Sequence, residues 1–138
     1  MGDKSMIGIS IATEWEYGTS LEYFGIKDHE RFGYPYGEYF KRTIEGAELV
    51  FYQTGARKVN GVGGNQYMMS KFNLTKVIVA GTCAGIDDQF SNLDIFVPDK
   101  AVQYDCTVKE IEPLIKQSFI VDIDLSKYGT DFHTGTIG

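Results

Sequence analysis

One stretch decides the fold: KVIVAGTCAG at residues 76–85. Its first half, residues 76–80, is a short apolar run rich in β-branched residues, which predicts a buried central strand. Its second half, residues 81–85, follows directly and contains two glycines and a threonine. Because open α/β sheets bind small ligands beyond the carboxyl ends of their strands, this loop is a candidate ligand site. Spacing alone favours the simpler interpretation, in which the glycines only make turns.

A second apolar run, residues 6–12, predicts another buried strand near the start of the chain. Thr13 and Glu16 follow it with the spacing of a helix capping box. A short helix is expected over residues 17–24, and Gly25 is placed to end it.

The rest of the chain alternates between predicted strands and predicted helices. The predicted elements are a loop at 27–37, hairpin arms at 39–44 and 47–53, a helix at 59–72, extended segments at 94–97 and 100–104 interrupted by Pro98, a weak helix at 107–117 and a strand at 132–137. The helix at 59–72 is predicted from the near-helical spacing of Val59, Val62, Gln66, Met69 and Phe72. This alternation predicts one α/β layered domain that contains at least one hairpin.

Composition limits the possible functions. The 138 residues carry a net charge of −6, which argues against phosphate-based nucleic-acid binding and against docking on an anionic membrane. No apolar run reaches the roughly 18 residues of a membrane helix, and the first residues lack a secretory layout. Two cysteines are too few for a disulfide scaffold, so a cytoplasmic protein with reduced thiols is expected.

The sequence predicts neither a metal site nor a cofactor. Asp122 and Asp124 could form a metal pair, but strand alternation places both on one solvated face. His29 and His133 are isolated and lack metal-ligand spacing.

Several segments in order resemble the purine nucleoside phosphorylase and nucleosidase superfamily, within it the 5′-methylthioadenosine/S-adenosylhomocysteine nucleosidases. They are residues 7–9 leading to 14–16, residues 54–60, residues 79–86, and residues 92–97 followed by 101–105. Each segment is weak alone, and the ordered set is more specific. The resemblance implies a three-layer α/β/α fold with a mixed central sheet, a purine nucleoside as the ligand and a homodimer.

The same resemblance implies hydrolysis of the N-glycosidic bond of an adenine nucleoside through an oxocarbenium-like transition state. It places the water-activating carboxylate at Glu16 and a hydroxyl near the ribose at Thr82. Cys83 and Ala84 fall on backbone that lines the base pocket, and Gly85 lets backbone approach the ligand. Without this resemblance, Glu16 is best explained as a helix-start glutamate that the helix dipole favours.

Some residues depart from the superfamily pattern. Arg57 stands where glycine is usual, and Ala84 where glycine is frequent. The resemblance also places the base-protonating aspartate and a ribose-binding Met-Glu pair on strands later than residue 138, so the domain is expected to be incomplete at its C-terminal end.

Two alternatives therefore stay open beside the hydrolase. The first is an inactive, truncated homologue that binds a nucleoside or serves as a structural partner. The second is a phosphorylase, which needs cations to hold phosphate. Phosphorylase relatives often have arginine where this chain has Val79, but Arg57 and Lys58 lie nearby in sequence. An exposed sheet edge is expected to drive self-association.

Overall fold

A computed structural model of the chain describes residues 6–102, 119–120, 124–127, 129 and 131–137. The chain divides into two compact units, Met1–Cys83 and Ala84–Gly138.

The first unit is built on a mixed five-stranded sheet. Its strands are β1 (Ile7–Ile11), β2 (Phe32–Tyr34), β3 (Gly37–Ile44), β4 (Ala47–Gln53) and β5 (Lys76–Ala80), in the order β2-β3-β4-β1-β5. β1 pairs in parallel with β4 and with β5, whereas β2, β3 and β4 form antiparallel neighbours. The predicted hairpin is confirmed, with Glu45 and Gly46 in its turn at positive φ.

Two helices join the strands of this sheet. α1 (Glu14–Phe24) starts at the predicted capping box, in which Thr13 and Glu16 bond reciprocally. Gly25 ends α1 with a left-handed φ of 60°, as predicted. α2 (Lys58–Phe72) ends at Asn73, which also adopts a left-handed φ, of 48°.

Side-chain alternation along β4 separates two apolar cores. Tyr52 and Val50 point to one face and pack in a cluster with Met68 of α2. Phe51 points to the other face and packs in a cluster with Tyr17 of α1. Because the two helices cover opposite faces of the sheet, the predicted three-layer α/β/α architecture is confirmed in this unit.

Three expectations about individual elements were wrong. The segment 27–37 is not only a loop, since it contains a 3₁₀ turn at Asp28–Glu30 and the strand β2. β5 is not central, because it lies at the end of the described sheet with Val79 76% exposed. Pro98 lies within a strand of the second unit, and the irregularity there is a register shift between Pro98 and Lys100.

The residues whose spacing predicts α2 are not the residues that α2 buries. Val59 and Val62 are 82% and 71% exposed, whereas Gly64 and Met68 are the buried residues of the helix. A Cβ atom added at Gly64 would lie 3.0 Å from the Thr54 side chain. The glycine therefore allows the helix to approach the sheet closely, and this approach turns Met68 inward.

The second unit contains a three-stranded sheet. Its strands are β6 (Phe96–Ala101), β7 (Phe119–Ile120) and β8 (His133–Ile137), in the order β7-β6-β8. His133 lies 3.2 Å from Asp94 and edge-on to the ring of Phe90. The predicted helix at 107–117 and Asp122 lie outside the described residues, and Asp124 precedes a 3₁₀ turn rather than lying on a strand. In the part of the chain that the structure describes, no helix combines the length and the apolar character needed to cross a bilayer.

Gly8 is the position where the packing of β1 tolerates least change. A Cβ atom at Gly8 would lie 2.7 Å from the Leu74 side chain and 3.1 Å from the buried ring of Tyr52. We therefore expect Gly8→Ala to lower the free energy of unfolding by about 1–3 kcal/mol in urea denaturation. Gly33→Ala is the matched control on β2, because a Cβ there meets nothing within 4 Å. Equal losses in the two variants would contradict this account.

Candidate functional site

The candidate site lies at the carboxyl edge of the first sheet. Parallel pairing places Ile11, the last residue of β1, opposite Ala80, the last residue of β5. The segments that follow these strands, Thr13 at the start of α1 and the loop from Gly81, therefore begin side by side. This is the edge at which parallel α/β sheets bind ligands.

Glu16 joins these two segments through both oxygens of its carboxylate. Oε1 accepts hydrogen bonds from the backbone N–H of Thr82 at 2.6 Å and from its hydroxyl at 2.7 Å. Oε2 accepts from the hydroxyl of Thr13 at 2.6 Å and from its backbone N–H at 3.2 Å. Two of the sequence-predicted site residues, Glu16 and Thr82, are thus in direct contact although they lie 66 positions apart.

These hydrogen bonds set the protonation state of Glu16. Partial burial raises the pKa of the carboxyl group, but the four bonds from Thr13 and Thr82 outweigh burial and lower the pKa from 4.5 to about 2. Hydrogen bonds that favour the charged form act in this direction. Glu16 is therefore an anion throughout the physiological pH range.

The loop after β5 approaches the Glu16 carboxylate closely. A Cβ atom at Gly81 would lie 3.1 Å from Oε1 of Glu16, so a glycine there leaves room for the carboxylate. Thr82 is exposed and bonds Glu16, and Cys83 is a free, exposed thiol. Ala84 and Gly85 are exposed residues of the second unit, where a Cβ at Gly85 would lie 2.9 Å from Phe90.

A second loop at the same edge of the sheet contains a strained residue. Arg57 precedes α2 with φ 79° and ψ 158°, a backbone region that is essentially restricted to glycine. Gly55, two residues earlier, has a φ of 79° as well. Arg57 stands where the superfamily pattern usually has glycine, and its backbone conformation is one that glycine favours.

The sequence pattern predicts only a helix-capping role for Thr13. In the structure, Thr13 supplies two of the four hydrogen bonds to the Glu16 carboxylate. The capping-box spacing was the available signal, because a reciprocal box brings the N3 carboxylate back to the cap. Among the residues that the structure describes, no cluster of three His, Cys, Asp or Glu side chains could hold a metal ion.

A model of the phosphorylase superfamily matches residues 6–137, nearly the whole chain. The chain belongs to the phosphorylase superfamily. No curated protein matches it.

Several solved structures have the same fold. The 5′-methylthioadenosine/S-adenosylhomocysteine nucleosidase of Helicobacter pylori, with butyl-thio-DADMe-Immucillin-A, has a TM-score of 0.80 and 17% identity over 98% of this chain and 64% of that chain. A Borrelia burgdorferi structure bound to adenine and assigned to the same activity has a TM-score of 0.75 and 24% identity, over 95% and 64%. Futalosine hydrolase of Helicobacter pylori has a TM-score of 0.79 and 17% identity, over 96% and 63%.

These comparisons confirm the predicted superfamily and the predicted fold class. At these identities, the likeness to solved structures establishes the fold alone. This superfamily member spans about 64% of the length of the first two structures.

The lowered pKa of Glu16 predicts an acid-sensitive contribution to stability. Because the folded-state pKa of about 2 lies below the ordinary 4.5, the contribution is complete above about pH 4.5 and is lost as the pH falls toward 2. The free energy of unfolding of the wild type should therefore fall more steeply over this range than that of Glu16→Gln. Glu22→Gln, an exposed change on the same helix, should behave like the wild type. Parallel wild-type and Glu16→Gln curves would contradict the prediction.

The backbone of Arg57 predicts a stabilising substitution. Arg57→Gly removes a strain of about 1–3 kcal/mol, although glycine gives back about 0.4–1 kcal/mol through the greater entropy of the unfolded chain. We expect a net gain of about 1 kcal/mol in the free energy of unfolding. Arg57→Ala removes the charge but keeps the Cβ atom, so it should give no gain. Equal gains would show that charge, and not backbone conformation, is responsible.

Proposed function

We propose that this chain carries part of the active site of an adenine-nucleoside N-ribosyl hydrolase, with 5′-methylthioadenosine or S-adenosylhomocysteine as substrates. In such a reaction, a water oxygen forms a bond to C1′ of the ribose while the bond from C1′ to the base nitrogen breaks. The base nitrogen takes up one proton as it leaves and the attacking water releases one of its own to solvent, so the reaction consumes one water and no net proton. The observation that carries the proposal is the Glu16 carboxylate, fixed at the ligand-binding edge of the sheet by Thr82.

Glu16 is better suited to hold and orient water than to remove its proton. A carboxylate whose pKa is about 2 is a weak base at neutral pH, but it remains negatively charged. That negative charge stabilises the positive charge that develops on the ribosyl group in an oxocarbenium-like transition state. In this proposal, Glu16 therefore acts as an electrostatic partner and a water anchor.

The hydrogen-bond count of Glu16 adds a requirement to this mechanism. A carboxylate has about four lone-pair positions, and the two threonines already fill four. A water molecule can donate a hydrogen bond to Glu16 only when one threonine hydroxyl stops donating to it. A hydroxyl can do this by rotating about a single bond. In the proposal, Thr82 turns its hydroxyl to the ribose when the nucleoside binds.

The same saturation of Glu16 supports the alternative of a nucleoside-binding protein without turnover. If the threonine bonds to Glu16 persist in the complex, the carboxylate has no position for the nucleophile. This alternative predicts binding of adenine without cleavage of the nucleoside.

Phosphorolysis has less support from the described residues. Val79 is an exposed apolar side chain where phosphorylase relatives often have arginine. Arg57 and Lys58 lie at the start of α2, so this loop carries positively charged side chains. A phosphorylase would show turnover that rises with the phosphate concentration.

The exposed edge of the first sheet at β5 supports self-association of the chain. Ile78 and Val79 of β5 are 52% and 76% exposed, at the end of the described sheet. An apolar, exposed edge strand favours association with a second chain. We propose a homodimer.

Adenine release from 5′-methylthioadenosine tests the hydrolase directly. Because this chain carries only part of the proposed site, we expect it to release adenine slowly, at a rate that does not depend on phosphate. Glu16→Gln should lower the rate by about 10²–10³-fold, because the amide keeps the shape of the side chain but loses the charge that stabilises the transition state. Glu22→Gln makes the same chemical change at an exposed position of α1 and should keep the wild-type rate.

Calorimetric titration with adenine separates the alternatives. Adenine binding without release from the nucleoside would favour the non-catalytic protein and overturn the hydrolase. If the chain neither binds adenine nor releases it from the nucleoside, the hydrolase and the non-catalytic binding protein are both overturned. Release that Glu16→Gln leaves unchanged would overturn the role of Glu16.

A further inference from the structure

The two threonines that bond Glu16 are held in different ways. Thr13 is half-buried at the start of α1, whereas Thr82 is exposed in the loop after β5. The Thr13 hydroxyl donates to Oε2 of Glu16 at 2.6 Å and accepts from the backbone N–H of Glu16 at 3.4 Å. The Thr82 hydroxyl donates to Oε1 at 2.7 Å from a residue that solvent reaches. The Thr13 hydroxyl is therefore tied to Glu16 both as a donor and as an acceptor.

The backbone of Thr13 is fixed by the first turn of α1. Its carbonyl accepts the first helical bond, from the N–H of Tyr17 at 3.1 Å. Its own N–H donates to Oε2 of Glu16 at 3.2 Å, and its φ of −105° and ψ of 154° are the extended conformation of an N-cap residue. Because these bonds form together, turning the Thr13 hydroxyl away from Glu16 would open the capping box.

A helix cap alone does not need the hydroxyl proton of Thr13. The side chain of an N-cap residue caps a helix as an acceptor, and in a capping box the N3 carboxylate reaches the backbone N–H of the cap. The bond from the Thr13 hydroxyl to Oε2 is additional to both of these, and its length of 2.6 Å is typical of a strong hydroxyl–carboxylate bond. This additional bond acts on the carboxylate rather than on the helix.

We propose that Thr13 is a positioning residue of the Glu16 site, which holds Oε2 in place while Oε1 exchanges the Thr82 hydroxyl for water. The inference rests on the proposed hydrolase function and deepens it, because it gives the two oxygens of Glu16 different tasks. A carboxylate that is fixed through one oxygen keeps the other aimed at the loop after β5, and accurate placement of this kind is what catalysis requires. Thr13 acts through Glu16 and does not touch the nucleoside.

Two substitutions separate this role from helix capping. Glycine is about as good an N-cap as threonine, so Thr13→Gly keeps the helix start and the backbone N–H but removes the hydroxyl. Thr13→Ser keeps the hydroxyl and should restore the behaviour of the wild type. Thr19→Ala is the matched control, because it removes a hydroxyl of α1 that bonds the carbonyl of Trp15 and not Glu16. Urea denaturation verifies that each variant is folded.

An NMR titration of the Glu16 carboxyl carbon in the whole chain measures the effect of Thr13 directly. A hydrogen bond to the charged form lowers the pKa of a carboxyl group, so its loss raises the pKa. We expect Glu16 to protonate about one to two pH units higher in Thr13→Gly than in the wild type. Thr13→Ser and Thr19→Ala should titrate like the wild type. Unchanged protonation of Glu16 in a folded Thr13→Gly variant would overturn the inference.

Steady-state release of adenine from 5′-methylthioadenosine supplies the second measurement. Because Thr13 positions Glu16 without touching the nucleoside, Thr13→Gly should lower kcat about ten- to hundredfold and leave KM within about twofold. Thr82→Ala removes a hydroxyl that is proposed to contact the ribose, so it should raise KM. An unchanged kcat in Thr13→Gly, a loss confined to KM, or an equal loss in Thr13→Ser would overturn the positioning role.

The two measurements keep this inference separate from the hydrolase itself. If the wild type releases no adenine, the proposed hydrolase is overturned, and the titration then decides alone whether the Thr13 hydroxyl holds Glu16. If the wild type releases adenine and the Thr13 variants behave like it in both measurements, the hydrolase stands and the role of Thr13 is overturned.

Discussion

The parallel pairing of β1 with both of its neighbours is the constraint on which the first unit depends. Because β1 runs in the same direction as β4 and β5, the carboxyl ends of all three strands meet at one edge. The chain leaves that edge through Thr13, through the loop before α2 and through Gly81. Every loop that this unit offers for ligand chemistry is therefore placed by the register of a single five-residue strand.

Glu16 uses this placement for two purposes at once. Its bonds to Thr13 begin α1, and its bonds to Thr82 fix the loop after β5. The same four bonds that make Glu16 a structural link also lower its pKa to about 2, so its charge is maintained at the cost of its basicity. A carboxylate that is held in this way is suited to stabilising a positive transition state and is less suited to accepting a proton.

Sequence reasoning located the elements of the first unit well because their signals are local. The capping box at Thr13, the hairpin turn at Glu45-Gly46 and the glycine end of α1 are each determined within a few residues. The helix α2 and the strand β5 were also predicted, but which residues of α2 are buried and where β5 lies in the sheet were not, because both depend on partners far along the chain. Val59 and Val62 have helical spacing, yet close approach at Gly64 turns Met68 inward instead. The contact of Glu16 with Thr82 required the superfamily resemblance, since no local pattern links residues 66 positions apart.

Arg57 has a backbone conformation that suits glycine, the residue that the superfamily resemblance places at this position. Its φ of 79° and ψ of 158° match a conformation that glycine adopts freely and that arginine adopts only under strain. The strain persists because the surrounding chain determines the loop: Thr54 bonds back to the carbonyl of Ile11 at the end of β1, and Asn60 bonds the carbonyl of Ala56. A loop that retains its shape under this strain is determined by its two ends rather than by the residue between them. Arg57 thus brings a positive charge to the carboxyl edge of the sheet, and its strained backbone costs about 1–3 kcal/mol in stability.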